Sequence, residues 1–239
     1  MPTTYDLAAP ALQRARFVRT VPAWLGHPEP PARRLLNVVI AAIGILLTLP
    51  LMAAIALAIR CTSPGPILFI QTRIGLDRRA RVRRTPDAEG TDLGGTPFRM
   101  YKFRTMQVRP EGSDPQVWAS PDDQRTTRLG KVLRKFRLDE LPQLFNVLLG
   151  QMNVVGPRPE QPAIFESLRK QVHAYVTRQR TRPGITGLAQ VTLGYDRSID
   201  DVRRKVALDL TYVRRQSVLE DLRIMALTLP VMVGRRGAW

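Results

Sequence analysis

The sequence is short of the residues that build disulfide frameworks and metal clusters. Its 239 residues include one cysteine, Cys61, and two histidines, His27 and His173. A single thiol excludes an internal disulfide and a cysteine-cluster metal site, and neither histidine lies in an HExxH frame, which argues against a His-rich zinc site. Aromatic residues make up only 6% of the chain, and no helix-turn-helix, zinc-finger or RNP pattern accompanies them, so nucleic acid is not an expected partner. No Walker A sequence and no GxGxxG occurs, so the usual triphosphate and dinucleotide cradles are absent. Acidic residues are also few: 20 Asp and Glu stand against 37 Lys and Arg, a net charge of +17. Such a chain seeks anionic partners, whether phosphorylated small molecules or an acidic membrane surface. Hydrophobic residues at 44% and charged residues at 24% are ordinary for a folded protein and exclude wholesale disorder.

What the chain does have is a long uncharged run. Residues 35–59 (LLNVVIAAIGILLTLPLMAAIALAI) carry no charge over 25 positions. As a straight helix they would reach about 37 Å, more than the roughly 30 Å hydrocarbon slab. A secretory signal fits poorly, because the stretch is too long and starts late. The chain is therefore expected to enter a membrane here. Arg33 and Arg34 precede the run, and Arg60, Arg73, Arg78 and Arg79 follow it. Both flanks thus favour the cytoplasmic side. Pro50 removes one backbone donor and opposes the carbonyl of Leu46, costing about 3 kcal/mol in a straight helix. Thr48 can donate its hydroxyl back to the carbonyl of Gly44, which also favours a bend. Composition alone leaves two options: a re-entrant helix that returns to its own side, or a plain span with a tolerated proline.

Around this run, residues 1–32 are proline-rich and read as a flexible or interfacial arm. Residues 66–75 (PILFIQTRIG) and 97–106 (PFRMYKFRTM) read as β-strands separated by an exposed loop at 76–96, with another loop at 107–124. From Leu141 the apolar positions Leu141, Leu144, Phe145, Leu148 and Leu149 form the stripe of an amphipathic helix, with Gly150 as its stop and Pro142 in its first turn. Further helices are expected over 162–179, over 198–214 with Val202, Val206 and Val213 on one stripe, and over 219–233, the last amphipathic enough to lie on a membrane surface.

Four constellations could carry chemistry. Asp139 and Glu140 stand at the start of the Leu141 helix, where exposed amides favour the ionised carboxylate needed to attack phosphorus. The structural alternative is an ordinary acidic first turn. A basic set follows: Lys102 and Arg104 on the YKFRTM strand, Arg134 five residues before Asp139, Arg158 in GPRP and Arg182 in RPGITG. Cations are required wherever a carboxylate meets a pyrophosphate, and the arginine fork suits that task. The GPRP and RPGITG segments, the latter with Pro183 and Gly184, put a cation beside closely approachable amides, although Pro-Gly is foremost a turn signal. Finally, Asp209 falls on the packed face of the 198–214 helix and needs a partner there: an arginine in the bland case, a metal or substrate hydroxyl in the sharp one.

Taken together, GPILFIQTRIG, FRMYKFRTM, RLDELPQLFNVL, VGPRP, TRPGITGLAQV and LDLTYV resemble, in order, the monotopic phosphoglycosyl transferases that begin bacterial polysaccharide and glycoconjugate assembly. The resemblance runs from about Arg34 to the C-terminus. It implies transfer of a sugar 1-phosphate from a UDP-sugar to undecaprenyl phosphate with release of UMP. Asp139 matches the family's nucleophile, which forms a phosphosugar-aspartyl intermediate. Glu140 completes an acidic dyad associated with Mg²⁺, the dyad being the expected metal site. Arg134, Arg158 and Asp209 match positions used around the substrate, and Arg197 is aligned to another through TLGYDR. The membrane helix of the family is re-entrant, with its break at the positions of Thr48 and Pro50. Two departures stand out: Leu49-Pro50 replaces the usual Ser-Pro, and Gly150-Gln151-Met152-Asn153 replaces GDMS, losing an acid near the site.

The expected architecture is α+β and mainly helical, a monotopic membrane protein with a re-entrant, proline-broken membrane helix, a small β-hairpin and surface amphipathic helices. It divides into an arm (1–32), the membrane helix (33–60) and a catalytic domain (61–239) on the cytoplasmic face of the bacterial inner membrane, held in part by anionic lipids. The oligomeric state is open, a dimer being one option. The competing class is a membrane-tethered basic binding or adaptor protein without catalysis.

Overall fold

The computed structural model describes residues 29–77, 94–108, 123, 125–193 and 198–233. The arm at 1–28, most of the 76–96 and 107–124 loops, and Arg197 lie outside them. Among the described residues the chain is mainly helical, with two small two-stranded sheets.

The long apolar run forms α1, Pro31–Thr62, which continues unbroken through Pro50. It starts at Pro31, a proline being favoured in the first turn because its missing N–H would have no partner there. Thr48 Oγ1 donates to Gly44 O at 2.6 Å, one turn before the proline. The middle of α1 is bare: Leu46 and Leu47 are 73% and 74% exposed, with Leu49 and Leu51 also open. Its two ends are not. Ala41 packs with Phe98, Met100, Val147 and Met152, whereas Met52, Ile55 and Ile59 pack with Phe103 and Leu133. Both halves of the helix are therefore seated on one folded body, each buried aliphatic side chain contributing roughly 1.5–3 kcal/mol.

Next comes the predicted hairpin, β1 (Leu68–Ile74) against β2 (Pro97–Phe103), antiparallel with Phe69 opposite Lys102. Phe98 and Met100 face the core, and Lys102 continues their face by the two-residue period of a strand. Asn146 grips β2 from outside, donating to Arg99 O at 2.7 Å and accepting from Tyr101 N at 3.0 Å.

Several expectations need correction. The helix predicted from Leu141 begins at Gln143 (α3, Gln143–Leu148), and Asp139 and Glu140 occupy a separate 3-10 turn, Leu138–Glu140, that follows α2 (Arg128–Lys135). The cause is Arg137, whose left-handed backbone (φ 53°) breaks the helical path between α2 and the turn. The 162–179 helix is two pieces, α4 (Pro162–Gln171) and a 3-10 turn, Tyr175–Arg180. Ala174, again left-handed at φ 60°, reverses the chain so that the Tyr175 ring meets Phe165 with centroids 5.3 Å apart. The segments around GPRP and RPGITG are more than loops: β3 (Asn153–Val155) and β4 (Gly184–Thr186) pair in parallel, and α5 (Leu188–Thr192) follows. The last two helices form where expected, α6 (Ile199–Arg215), capped by Ser198, and α7 (Val218–Val233).

Candidate active site

The acidic pair is aimed by its neighbours. Leu138 and Leu141 pack toward the Ile55 and Ile59 end of α1, and Asp139 and Glu140 are buried between them. Glu140 collects cations from three elements. Lys102 Nζ of β2 lies 2.8 Å from its Oε1, Arg158 Nη2 3.3 Å from the same oxygen, and Arg137 Nη1 3.5 Å from Oε2. Among the described residues Asp139 pairs with the lysine alone, at 3.7 Å from Oδ2.

These surroundings split the two carboxyls. Burial by itself would raise Glu140, but Lys102, then Arg158 and Arg137, outweigh it and hold the carboxyl well below its usual range. For Asp139 burial wins: it pushes the carboxyl up, Glu140 adds to the rise, and Lys102, Arg158 and Arg134 pull back only in part. The sequence expected a helix N-terminus to favour ionised Asp139. The turn ends before α3 begins, and what favours the anion at Asp139 is Lys102, Arg158 and Arg134, against a larger effect of burial. One carboxyl fixed as an anion beside another whose proton is tunable is the pattern of paired acids with divided roles.

Arg158 reaches the dyad because its loop is pinned. Gly184 N donates to Pro157 O at 3.0 Å and Gly156 N to Thr186 O at 2.9 Å. The crossing is so close that a Cβ on Gly184 would sit 2.0 Å from Gly156 N. Arg178 Nη2 donates to Arg158 O at 3.1 Å and is itself paired with Asp209 at 2.8 Å. Asp209 is thus in its bland state, a buried acid paired to a buried arginine, connected among the described residues to the dyad through Arg178 and Arg158. Burial raises its carboxyl and Arg178 opposes the rise. Arg73 of β1 also holds this loop, donating to Pro159 O at 3.1 Å.

The remaining predicted residues scatter. Arg134 on α2 contacts Thr126 at 3.2 Å and lies near enough to lower Asp139. Arg104 turns away to cap the C-terminal end of α1, donating to Pro64 O at 2.5 Å and Ser63 O at 2.8 Å. Arg182 pairs with Glu29 and donates to Gly150 O. Pro183 O accepts from Asn153 N at 2.8 Å, and Gly184 serves the strand crossing. Thr48 and Pro50 lie at the bare middle of α1. Arg197 lies outside the described residues. The sequence reading missed Arg137 and Arg178. The first is the opening residue of the RLDE motif and could have been found there. The second had no local signal.

Magnesium suits this donor set in one way only. Among the described residues no three acidic, histidine or cysteine side chains cluster, so an all-protein cage is not on offer. Two adjacent carboxylates, Asp139 and Glu140, do fit an ion that takes one or two carboxylates and completes its octahedron with substrate phosphates and water.

The model of one family, bacterial sugar transferases, matches residues 29–235. The chain belongs to the bacterial sugar transferase family. This family member is 40% identical over 209 residues to the UDP-glucose:undecaprenyl-phosphate glucose-1-phosphate transferase of Caulobacter vibrioides, covering 87% of the chain and 72% of the relative. It is 39% identical over 206 residues to the UDP-N-acetylgalactosamine-undecaprenyl-phosphate N-acetylgalactosaminephosphotransferase of Aeromonas hydrophila, covering 86% of the chain and 44% of the relative. An Escherichia coli K12 glucose-1-phosphate transferase matches at 36% identity over 232 residues, 95% of the chain and 46% of the relative. The chain thus spans less than half the length of several relatives. Every residue of the dyad and its cation ring falls inside the family match.

Proposed function

We propose that this chain transfers a sugar 1-phosphate from a UDP-sugar to undecaprenyl phosphate, releasing UMP and initiating polysaccharide or glycoconjugate assembly. The observation that carries the reading is the buried Asp139–Glu140 pair inside a ring of Lys102, Arg137 and Arg158. The relatives named for this reaction support it.

In the first step an Asp139 carboxylate oxygen attacks the sugar-bearing phosphorus. The new P–O bond makes a phosphosugar-aspartyl acyl phosphate, and the bond from that phosphorus to the bridging oxygen breaks, with UMP leaving with the oxygen and its electron pair. In the second, a phosphate oxygen of the lipid attacks the same phosphorus, forming the lipid diphosphate sugar and returning Asp139 as a carboxylate. Lys102, next to both carboxyls, keeps Asp139 available as an anion and offsets charge that develops on the phosphoryl oxygens. Arg158, held by Arg178, faces the same region with a fork suited to phosphate. Glu140 keeps these cations in place. Magnesium, when bound at the dyad, would neutralise diphosphate charge.

The same reading makes α1 re-entrant. The helix is about 48 Å long and both its halves are seated on one body, so a bend near Thr48 and Pro50 would let it dip into the bilayer and leave by the face it entered. The bare leucines at its middle then meet lipid, and the basic flanks favour the cytoplasmic face of the inner membrane for the body. Anionic headgroups add roughly 1 kcal/mol for each nearby basic residue. An adaptor without catalysis would use the dyad only as structure.

Membranes carrying the chain, supplied with undecaprenyl phosphate and a panel including UDP-glucose and UDP-N-acetylgalactosamine, should release UMP from at least one donor. Asp139→Asn, still folded and membrane-bound, should release none. Absence of UMP from the whole panel overturns the reading.

A further inference from the structure

Beside the dyad lies a cavity of about 140 Å³ to which Arg137 and Glu140 contribute the charged lining. The rest of its wall is mostly aliphatic: Leu141, Leu144, Ile185, Val191 and Val231. Two threonines complete it, but they spend their hydroxyls on each other and on backbone. Thr228 Oγ1 donates to Ile224 O at 2.8 Å, and the Thr186 and Thr228 hydroxyls are 2.9 Å apart. Gln190 likewise uses its amide nitrogen on Ile185 O at 3.0 Å. Its Oε1 has no hydrogen-bond partner among the described residues and is the acceptor a nucleobase could use.

The cavity adjoins exposed apolar surface. Leu144 packs on Gly44 of α1, where an added Cβ would come within 3.2 Å of it. Thr228 and Val231 come from α7, whose Leu222, Leu227 and Leu229 are exposed. A closed apolar cavity of about 150 Å³ is large enough to hold a six-carbon ring. One five-carbon isoprene unit therefore fits here, in a wall with little polarity to recognise a base.

We propose that this cavity seats the first isoprene unit of the polyprenyl phosphate acceptor, so that the phosphate attached to it falls beside Arg137 at the dyad. The inference rests on the transfer reading for the acceptor's identity and adds the side chains that take its tail. The cavity would then select acceptors by the unit nearest the phosphate, and the remainder of the chain would lie in the bilayer between α1 and α7.

Two filling substitutions from different walls, Val231→Trp on α7 and Val191→Phe on α5, test it. The first readout is equilibrium binding of radiolabelled undecaprenyl phosphate to the purified full chain in detergent micelles, without donor. The second is UMP released in a single turnover from the UDP-sugar alone. Both variants should raise the Kd for undecaprenyl phosphate at least tenfold and leave the single-turnover UMP within twofold of the unaltered chain. A Kd within twofold in both variants overturns the proposal. So does loss of the UMP burst with lipid affinity intact, which would make the cavity a nucleobase seat. If the unaltered chain binds the lipid yet releases no UMP from any donor, the transfer reading fails, and the binding comparison still decides what the cavity holds.

Discussion

Lys102 Nζ stands 2.8 Å from Glu140 Oε1 and, by the same position, 3.7 Å from Asp139 Oδ2. One amine thus serves both carboxyls, but unequally. Glu140 keeps Arg137 and Arg158 if the lysine is removed, whereas for Asp139 Lys102 is the largest influence opposing burial. Lys102→Met should lower UMP release on the order of 100-fold near neutral pH, the scale of losing a positioned charge at a reacting centre. The sign of the pH effect follows from Asp139. Its carboxyl is already raised, and losing the lysine raises it further, so the ionised fraction falls at a given pH. The acidic limb of the pH–rate profile should therefore move to higher pH, and part of the loss should be regained at alkaline pH. An unshifted limb would mean that Lys102 does not govern the charge of Asp139.

Asp209 is expected to act at a distance. Its pairing with Arg178 fixes the arginine that holds Arg158 O. Asp209→Asn should cut kcat/KM about tenfold, and Arg178→Met should do the same. The double variant should lose little more than either, since residues in one network are not additive. Independent, multiplying losses in a double-mutant cycle would place Asp209 in direct contact with substrate.

The start of α1 is latched to the C-terminal helices. Arg33 Nε pairs with Asp221 at 2.7 Å, and the Tyr212 hydroxyl donates to Asp221 Oδ1 at 2.7 Å in the same buried cluster. Arg33→Leu should destabilise the protein by about 3–5 kcal/mol, because it strands a buried carboxylate. Arg33→Leu with Asp221→Leu should recover much of that loss. Thermal unfolding in detergent measures both, and equal melting temperatures for the single and double variants would contradict the latch.

Cysteines placed at Pro30 and Pro64 in a Cys61→Ser background test the path of α1. Both should react with an impermeant thiol reagent only after access to the cytoplasmic face is opened. Labelling of either one from the periplasm in intact cells would make α1 a span.

How much of this was legible in the sequence differs by element. The hairpin, α6, α7 and the membrane helix announced themselves through period and composition, and the Thr48–Gly44 bond follows from spacing alone. The β3–β4 pair was hidden, because two three-residue strands joined across 28 intervening positions have no local pattern. The breaks at Arg137 and Ala174 were hidden for a related reason: neither residue is glycine, and only tertiary packing holds such residues left-handed. In the site, the acids and Arg158 stood in motifs. Arg104 and Arg182, equally basic and equally placed in motifs, cap α1 and pair with Glu29 instead. Nothing in a linear charge pattern separates a cation facing a carboxylate from one capping a helix.

The most direct test uses a UDP-sugar with radiolabel in the sugar phosphate, given to the purified chain without lipid acceptor and quenched in acid. About one equivalent of label should be held on the peptide containing Asp139, released as UMP forms and discharged when undecaprenyl phosphate is added. Asp139→Asn should hold none. Label on another side chain, or undiminished UMP release by Asp139→Asn, would contradict a covalent route through this carboxylate.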